Sequence, residues 1–211
     1  MKKLLFVLIS SLATISLTAQ IKSSGITKFY VDGGVGVASH NGVFATLGGT
    51  AVLQNNWLAS ISYYKLDMTP KNLPSNYEPG LLILPIPILE AMPSVKMSVV
   101  NFTGGRLFPL GRKTWITAEA GLSVVSGEKL QFTSQPVVGL LVYYSSNYST
   151  QKTKQTTTVG GMLRTDFNWA FTPYFGLSAG AFVNMNSIQS PVGAEVKLIA
   201  GWLNTKKKSA K

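Results

Sequence analysis

No cysteine occurs in the 211 residues, which excludes a disulfide framework, a thiolate metal site and a lipid-acylated cysteine anchor. Charge is scarce too: 13% of the chain is Asp, Glu, Lys or Arg, about half the roughly 25% of an ordinary globular domain. Long apolar runs are missing. Mean hydropathy is +0.21, yet no stretch reaches the roughly 18 apolar residues that a membrane helix requires. An apolar chain whose apolar residues are interleaved with polar ones fits a membrane β-barrel. There is a single histidine, His40. With no thiols beside it, no transition-metal site is expected, and no cofactor.

Acidic residues are the scarcer sign, 8 against 19 Lys and Arg, for a formal charge of +11. A basic surplus can mark a nucleic-acid binder. Here Lys2 and Lys3 belong to an export signal, and Lys206, Lys207, Lys208 and Lys211 crowd a short tail. We expect no nucleic-acid partner; the tail stays solvated, or touches anionic lipid head groups or peptidoglycan.

Residues 1–19 have the layout of a secretory signal peptide: Lys2 and Lys3, an apolar core from Leu4 to about Leu17, and small Ala19 before the expected cut. A lead-in of 20–27, a barrel over 28–203 and a basic tail of 204–211 complete the expected organisation.

From Lys28 onward apolar residues alternate, the mark of a strand with two distinct faces. In the last segment Val192, Ala194, Val196, Leu198, Ala200 and Trp202 share one face, opposite Gly193, Glu195, Lys197, Ile199, Gly201 and Leu203. The pattern recurs over 28–39, 115–125, 156–167 and 174–185, and less cleanly over 42–54, 57–67 and 95–107. That predicts an all-β, antiparallel, up-and-down transmembrane barrel of eight strands. Short connections at 54–56, 108–113 and 168–173 alternate with longer ones at 68–94, 126–155 and 185–191, and barrels of this kind carry short turns on the periplasmic side and longer loops outside. Asn41-Gly42 is expected to form a tight hairpin in the first outer connection.

In this topology Trp57, Trp115, Trp169 and Trp202 all fall at the periplasmic rim, joined by Phe108, Phe171 and Tyr174, and are expected to form an interfacial aromatic belt. Asp32, Glu119, Asp166 and Glu195 fall on inward faces with Arg106, Arg164 and Lys197. Such charges in a narrow interior are expected to pair, a structural role. An eight-stranded barrel is just wide enough for side chains to fill. Glycines at 33–34, 48–49, 104–105 and 160–161 would make room for them.

On the export signal, the two-faced strands, the Trp rim and the set Asp32, Glu119, Arg164, Glu195 and Lys197, the chain resembles the small bacterial outer-membrane β-barrel family, of the OmpX and OmpA-membrane-domain kind, over about residues 28–203. The resemblance implies a location in the outer membrane and contact with its lipid. Members of that family often end on an aromatic residue; here Asn204–Lys211 follows Trp202 and Leu203.

Two apolar segments fall inside expected outer loops: Leu81, Leu82, Ile83 and Leu84, then Ile86, Ile88 and Leu89 around Pro85 and Pro87, and a second over Val137–Tyr144. Exposed apolar patches mark interaction sites, so these segments are candidates for binding another envelope or secretion protein. Covering the barrel mouth, extending strands above the membrane, or forming two more strands to make ten are the other readings. A structural envelope-integrity barrel is the alternative function. A lipid A-modifying enzyme centred on His40 and a narrow pore are weaker ones. Ser39 and His40 are neighbours, so they point to opposite faces of a strand, and no acidic residue is placed to orient the imidazole. No catalytic residue is assigned.

Overall fold

The computed structural model describes residues 25–84, 86–89, 92–137, 139–140, 143–152 and 155–203. The expected signal peptide, its cut near Ala19 and the basic tail lie outside them.

Eight strands close a barrel: β1 (Ile26–Ala38), β2 (Gly42–Leu53), β3 (Trp57–Met68), β6 (Val95–Pro109), β7 (Thr114–Gly127), β12 (Thr156–Ala170), β13 (Phe175–Met185) and β14 (Val192–Trp202). Each pairs antiparallel with its neighbours in chain order, and β14 returns to β1 from Phe29↔Trp202 to Ala38↔Gly193. Closure leaves no unpaired strand edge in the barrel, which a hydrocarbon environment demands. The short strands β4 (Leu81–Leu84), β5 (Ile86–Leu89), β8 (Leu130–Ser134), β9 (Gly139–Leu140), β10 (Tyr143–Tyr144) and β11 (Tyr148–Lys152) lie outside it. The barrel therefore has eight strands, not ten.

The period-two pattern sorts the side chains. Val31, Val35, Val37, Leu47, Leu122, Val159, Val196 and Leu198 are exposed on the outer surface although strongly apolar. A lipid-facing belt explains this; water would not. Inward side chains form three tiers. Tyr30, Val52, Leu58, Leu107, Trp115, Ala170, Ile199 and Leu203 pack at the short-turn end. The charged residues occupy the middle. Phe44, Tyr64, Leu66, Met68, Val99, Val125, Met162 and Phe182 pack toward the long connections. There Phe44 meets Phe182 edge-on with centroids 5.3 Å apart, and Tyr64 lies 5.5 Å from Phe182.

Three expectations are corrected. Trp115 does not face lipid: it is 2% exposed, in phase with buried Thr117 and Glu119. Its ring lies 6.3 Å from Tyr30 and under the Lys28 ammonium at 4.5 Å. The same Lys28 donates to the Leu203 carbonyl, which fixes the end of the last strand against the start of the first. Arg106 does not point into the lumen. Val95, Met97, Val99, Asn101, Thr103 and Leu107 are the buried phase of β6, so Arg106 faces out beside Trp57. At a strand end a long arginine reaches the interface at little cost. The first outer turn is built not on Asn41-Gly42 but on His40 and Asn41, with φ of 59° and 53°. Gly42 begins β2 packed against Ala38, Leu66 and Met68, where a Cβ would lie 3.1 Å from each.

Candidate functional site

Two arrangements stand out, one in the lumen and one above it. In the lumen, Arg164 and Asp166 on β12 face Glu195 and Lys197 on β14, across the width of β13. Arg164 Nε lies 3.0 Å from Asp166 Oδ2, and Arg164 Nη2 2.5 Å from Glu195 Oε1. Lys197 Nζ donates to Asp166 Oδ2 at 3.0 Å and lies 3.2 Å from Glu195 Oε1. Two cations and two anions thus alternate around a closed ring. All four side chains are buried, 6% exposed or less. Each ion has two partners of opposite sign, which offsets the cost of removing it from water.

Small residues make the ring possible. Gly180 stands between Asp166 and Glu195 in the pairing, and a Cβ there would run into the Asp166 carboxylate. Gly34 pairs with Lys197, and a Cβ on it would lie 2.7 Å from Lys197 Cγ. Gly48 pairs with Asp32, where a Cβ would lie 3.0 Å from its Oδ2. Gly34 and Gly48 belong to the glycine pairs visible in the sequence. Gly180 was missed, although its inward phase in β13 was legible.

Asp32 and Glu119 stand outside the ring. Glu119 accepts a hydrogen bond from Thr103 Oγ1 at 2.6 Å. Asp32 is buried with Oδ1 unpartnered. Arg164, opposite Glu119 in the pairing, feels the field of all four carboxylates.

At the other end of the barrel, the four long-side connections are tied into one body. Thr69 N donates to His40 O at 2.9 Å, and Gln189 Nε2 to Thr69 O at 3.0 Å. Asn72 Nδ2 donates to Leu130 O at 2.8 Å. Asn147 joins the two longest connections, donating to Asn76 O at 2.6 Å and accepting from Glu78 N at 2.9 Å. Tyr77 stacks on Tyr148 and meets Phe132 edge-on, at 6.3 and 6.1 Å. Backbone pairing completes the body: β8 with β11, and a four-stranded sheet in the order β5-β4-β10-β9. The backbones of Leu81, Leu82, Ile83, Leu84, Ile86, Ile88 and Leu89 all lie in this second sheet. The two apolar segments of the sequence, in β4–β5 and β9–β10, are thus brought together, Leu82 pairing with Tyr143.

His40 sits exposed in its turn, and the neighbouring Ser39 Oγ accepts from Val192 N. Trp57 and Trp169 are about half exposed at the short-turn rim and Trp202 partly so.

No protein family matches the chain, and no curated protein resembles it in sequence. Solved structures do resemble it. The N-terminal β-barrel domain of Pseudomonas aeruginosa OprF has a TM-score of 0.52 at 9% identity, over 85% of this chain and 100% of that one. Neisserial surface protein A gives 0.51 at 15% identity, over 85% and 98%. Ail of Yersinia pestis, solved with the heparin analogue sucrose octasulfate, gives 0.49 at 10%, over 82% and 97%. At such identities the likeness is one of fold. The chain has the fold of the small eight-stranded outer-membrane β-barrels.

Proposed function

We propose that this is a non-enzymatic barrel of a Gram-negative outer membrane, closed through its centre, whose outer connections form a platform for another envelope or secretion protein. The observation that carries the reading is the tying of all four outer connections into one body. Ordering such segments costs backbone entropy of about 1–2 kcal/mol per residue, and a barrel needs none of it to span the membrane. A pre-formed platform lowers the ordering cost of binding a partner. The three filled tiers of the lumen support a closed barrel. A wide channel takes about twice as many strands.

The test is extraction of the tagged full chain, at native expression, in mild detergent. A stoichiometric partner is expected with the wild type. It should be lost when residues 81–89 are deleted, while the barrel keeps its heat-sensitive migration on SDS gels. A solitary barrel, or a partner that ignores the deletion, sinks the proposal. The lumenal ion ring favours a second reading, a rigid structural barrel; a deletion strain would then be detergent-sensitive with no partner recovered. Against a lipid A-modifying enzyme, among the described residues no carboxylate pairs with the exposed His40 imidazole to orient it. Identical lipid A mass spectra from wild type and His40→Ala are expected.

A further inference from the structure

The outer surface carries a groove of about 1000 Å³, lined by outward-facing side chains of β1, β2, β3, β6, β13 and β14 and by the inward-phase positions between them, Gly36, Phe44, Leu66, Gly180 and Glu195. Its floor is laid out in two adjacent rows of the outward face. One row runs Ala179, Val196, Val35, Ala45, Lys65; the next runs Ala194, Val37, Val43, Asp67, Lys96. Each row starts at alanine and valine and finishes at charge.

Depth changes along the rows because the strands are tilted. Ala179 is four residues along β13 from rim residue Phe175, Lys65 eight along β3 from Trp57, and Lys96 twelve along β6 from Phe108. At roughly 2.5 Å of depth per residue, for about 3.3 Å of rise at a tilt near 40°, these lie about 10, 20 and 30 Å above the short-turn rim. An apolar band about 25 Å tall ends between Lys65 and Lys96. The groove thus slants from mid-membrane to the outer head-group level. Among the described residues neither lysine forms an ion pair, so both ammonium groups are available there.

We propose that this groove binds one anionic lipid, its acyl chain along Ala179, Ala194, Val196 and Val35 and its phosphate at Lys65 and Lys96. This rests on the membrane-barrel reading and not on the platform. Charge selects the head group, and the small side chains leave the space that the chain fills. Asp67 lies between the lysines, so the net charge offered is one positive, worth on the order of fivefold in lipid preference.

Native mass spectrometry of the full chain in nonionic detergent, with equal phosphatidylglycerol and phosphatidylcholine of the same chains, tests this. Wild type is expected to retain one phosphatidylglycerol, about fivefold over phosphatidylcholine. Lys65→Ala/Lys96→Ala should abolish the preference, Asp67→Asn should raise it, and Ala194→Trp should displace both lipids by filling the groove. Equal retention by wild type overturns the proposal, as does a preference that survives loss of both lysines. Retention unchanged in Ala194→Trp reduces the site to surface charge and also overturns it. A dimer mass lost in Ala194→Trp would assign the groove to a second copy instead. The two charge variants keep the test decisive if Ala194→Trp fails to fold.

Discussion

Replacing Arg164 by methionine tests the lumenal ring most directly. Four carboxylates and two cations are buried in the lumen among the described residues, Asp32, Glu119, Asp166 and Glu195 against Arg164 and Lys197, with Lys28 at the short-turn mouth over Trp115. Loss of Arg164 leaves Lys197 as the one buried cation among the described residues to balance them, while methionine keeps most of the volume. Removing one partner of a buried ion pair costs about 3–5 kcal/mol, because the remaining charge stays buried without compensation. Arg164 touches two carboxylates, so the upper part of that range is expected. The assay is urea unfolding of the barrel in lipid vesicles, followed by tryptophan emission, with buried Trp115 as an internal reporter. The paired variant Arg164→Met/Glu195→Gln removes both ends of the 2.5 Å contact and leaves Lys197 with Asp166. It should lie closer to wild type than the single variant, with a coupling of about 1–3 kcal/mol. If Arg164→Met lies within about 0.5 kcal/mol of wild type, or if the two changes simply add, the ring is not a coupled unit and the reasoning fails.

Two further predictions concern the same interior. Gly180→Ala forces the Asp166 carboxylate to move and should cost about 1–3 kcal/mol, whereas at Gly161 a Cβ meets only the flexible end of Met185 at 3.5 Å, so Gly161→Ala should change the urea midpoint little. Equal midpoints for the two would remove the steric argument. In single-tryptophan variants, lipids brominated on the acyl chain near the head group should quench Trp57 and Trp169 strongly and Trp115 weakly, and strong quenching of Trp115 would contradict its place in the lumen.

Much of the fold was legible because the decisive signal is local. A strand alternates its faces every residue, so Val192 to Leu203 revealed both its lipid face and its lumenal pair Glu195 and Lys197 without reference to any neighbour. The inward phase of Asp32, Glu119, Arg164 and Asp166 followed in the same way. Trp115 was assigned by its position near a rim rather than by its phase, although its own strand put it in step with Thr117 and Glu119. Arg106 was misassigned because Gly104 and Gly105 interrupt the contrast on which phase depends.

What the sequence by itself determined is therefore the strands, their two faces, the short and long connections and the set of charges turned inward. The tertiary structure alone decided how these are combined. Arg164 meets Glu195 only because the register of β12, β13 and β14 brings Asp166, Gly180 and Glu195 to one level, with Arg164 two residues away on β12. Leu82 meets Tyr143 only because two outer connections pair across some 60 residues of chain. Lys65 and Lys96 become the upper end of a lipid-facing groove only through barrel tilt. Alternation depends on one residue and the next; register, stagger and the pairing of distant segments depend on the closed sheet as a whole.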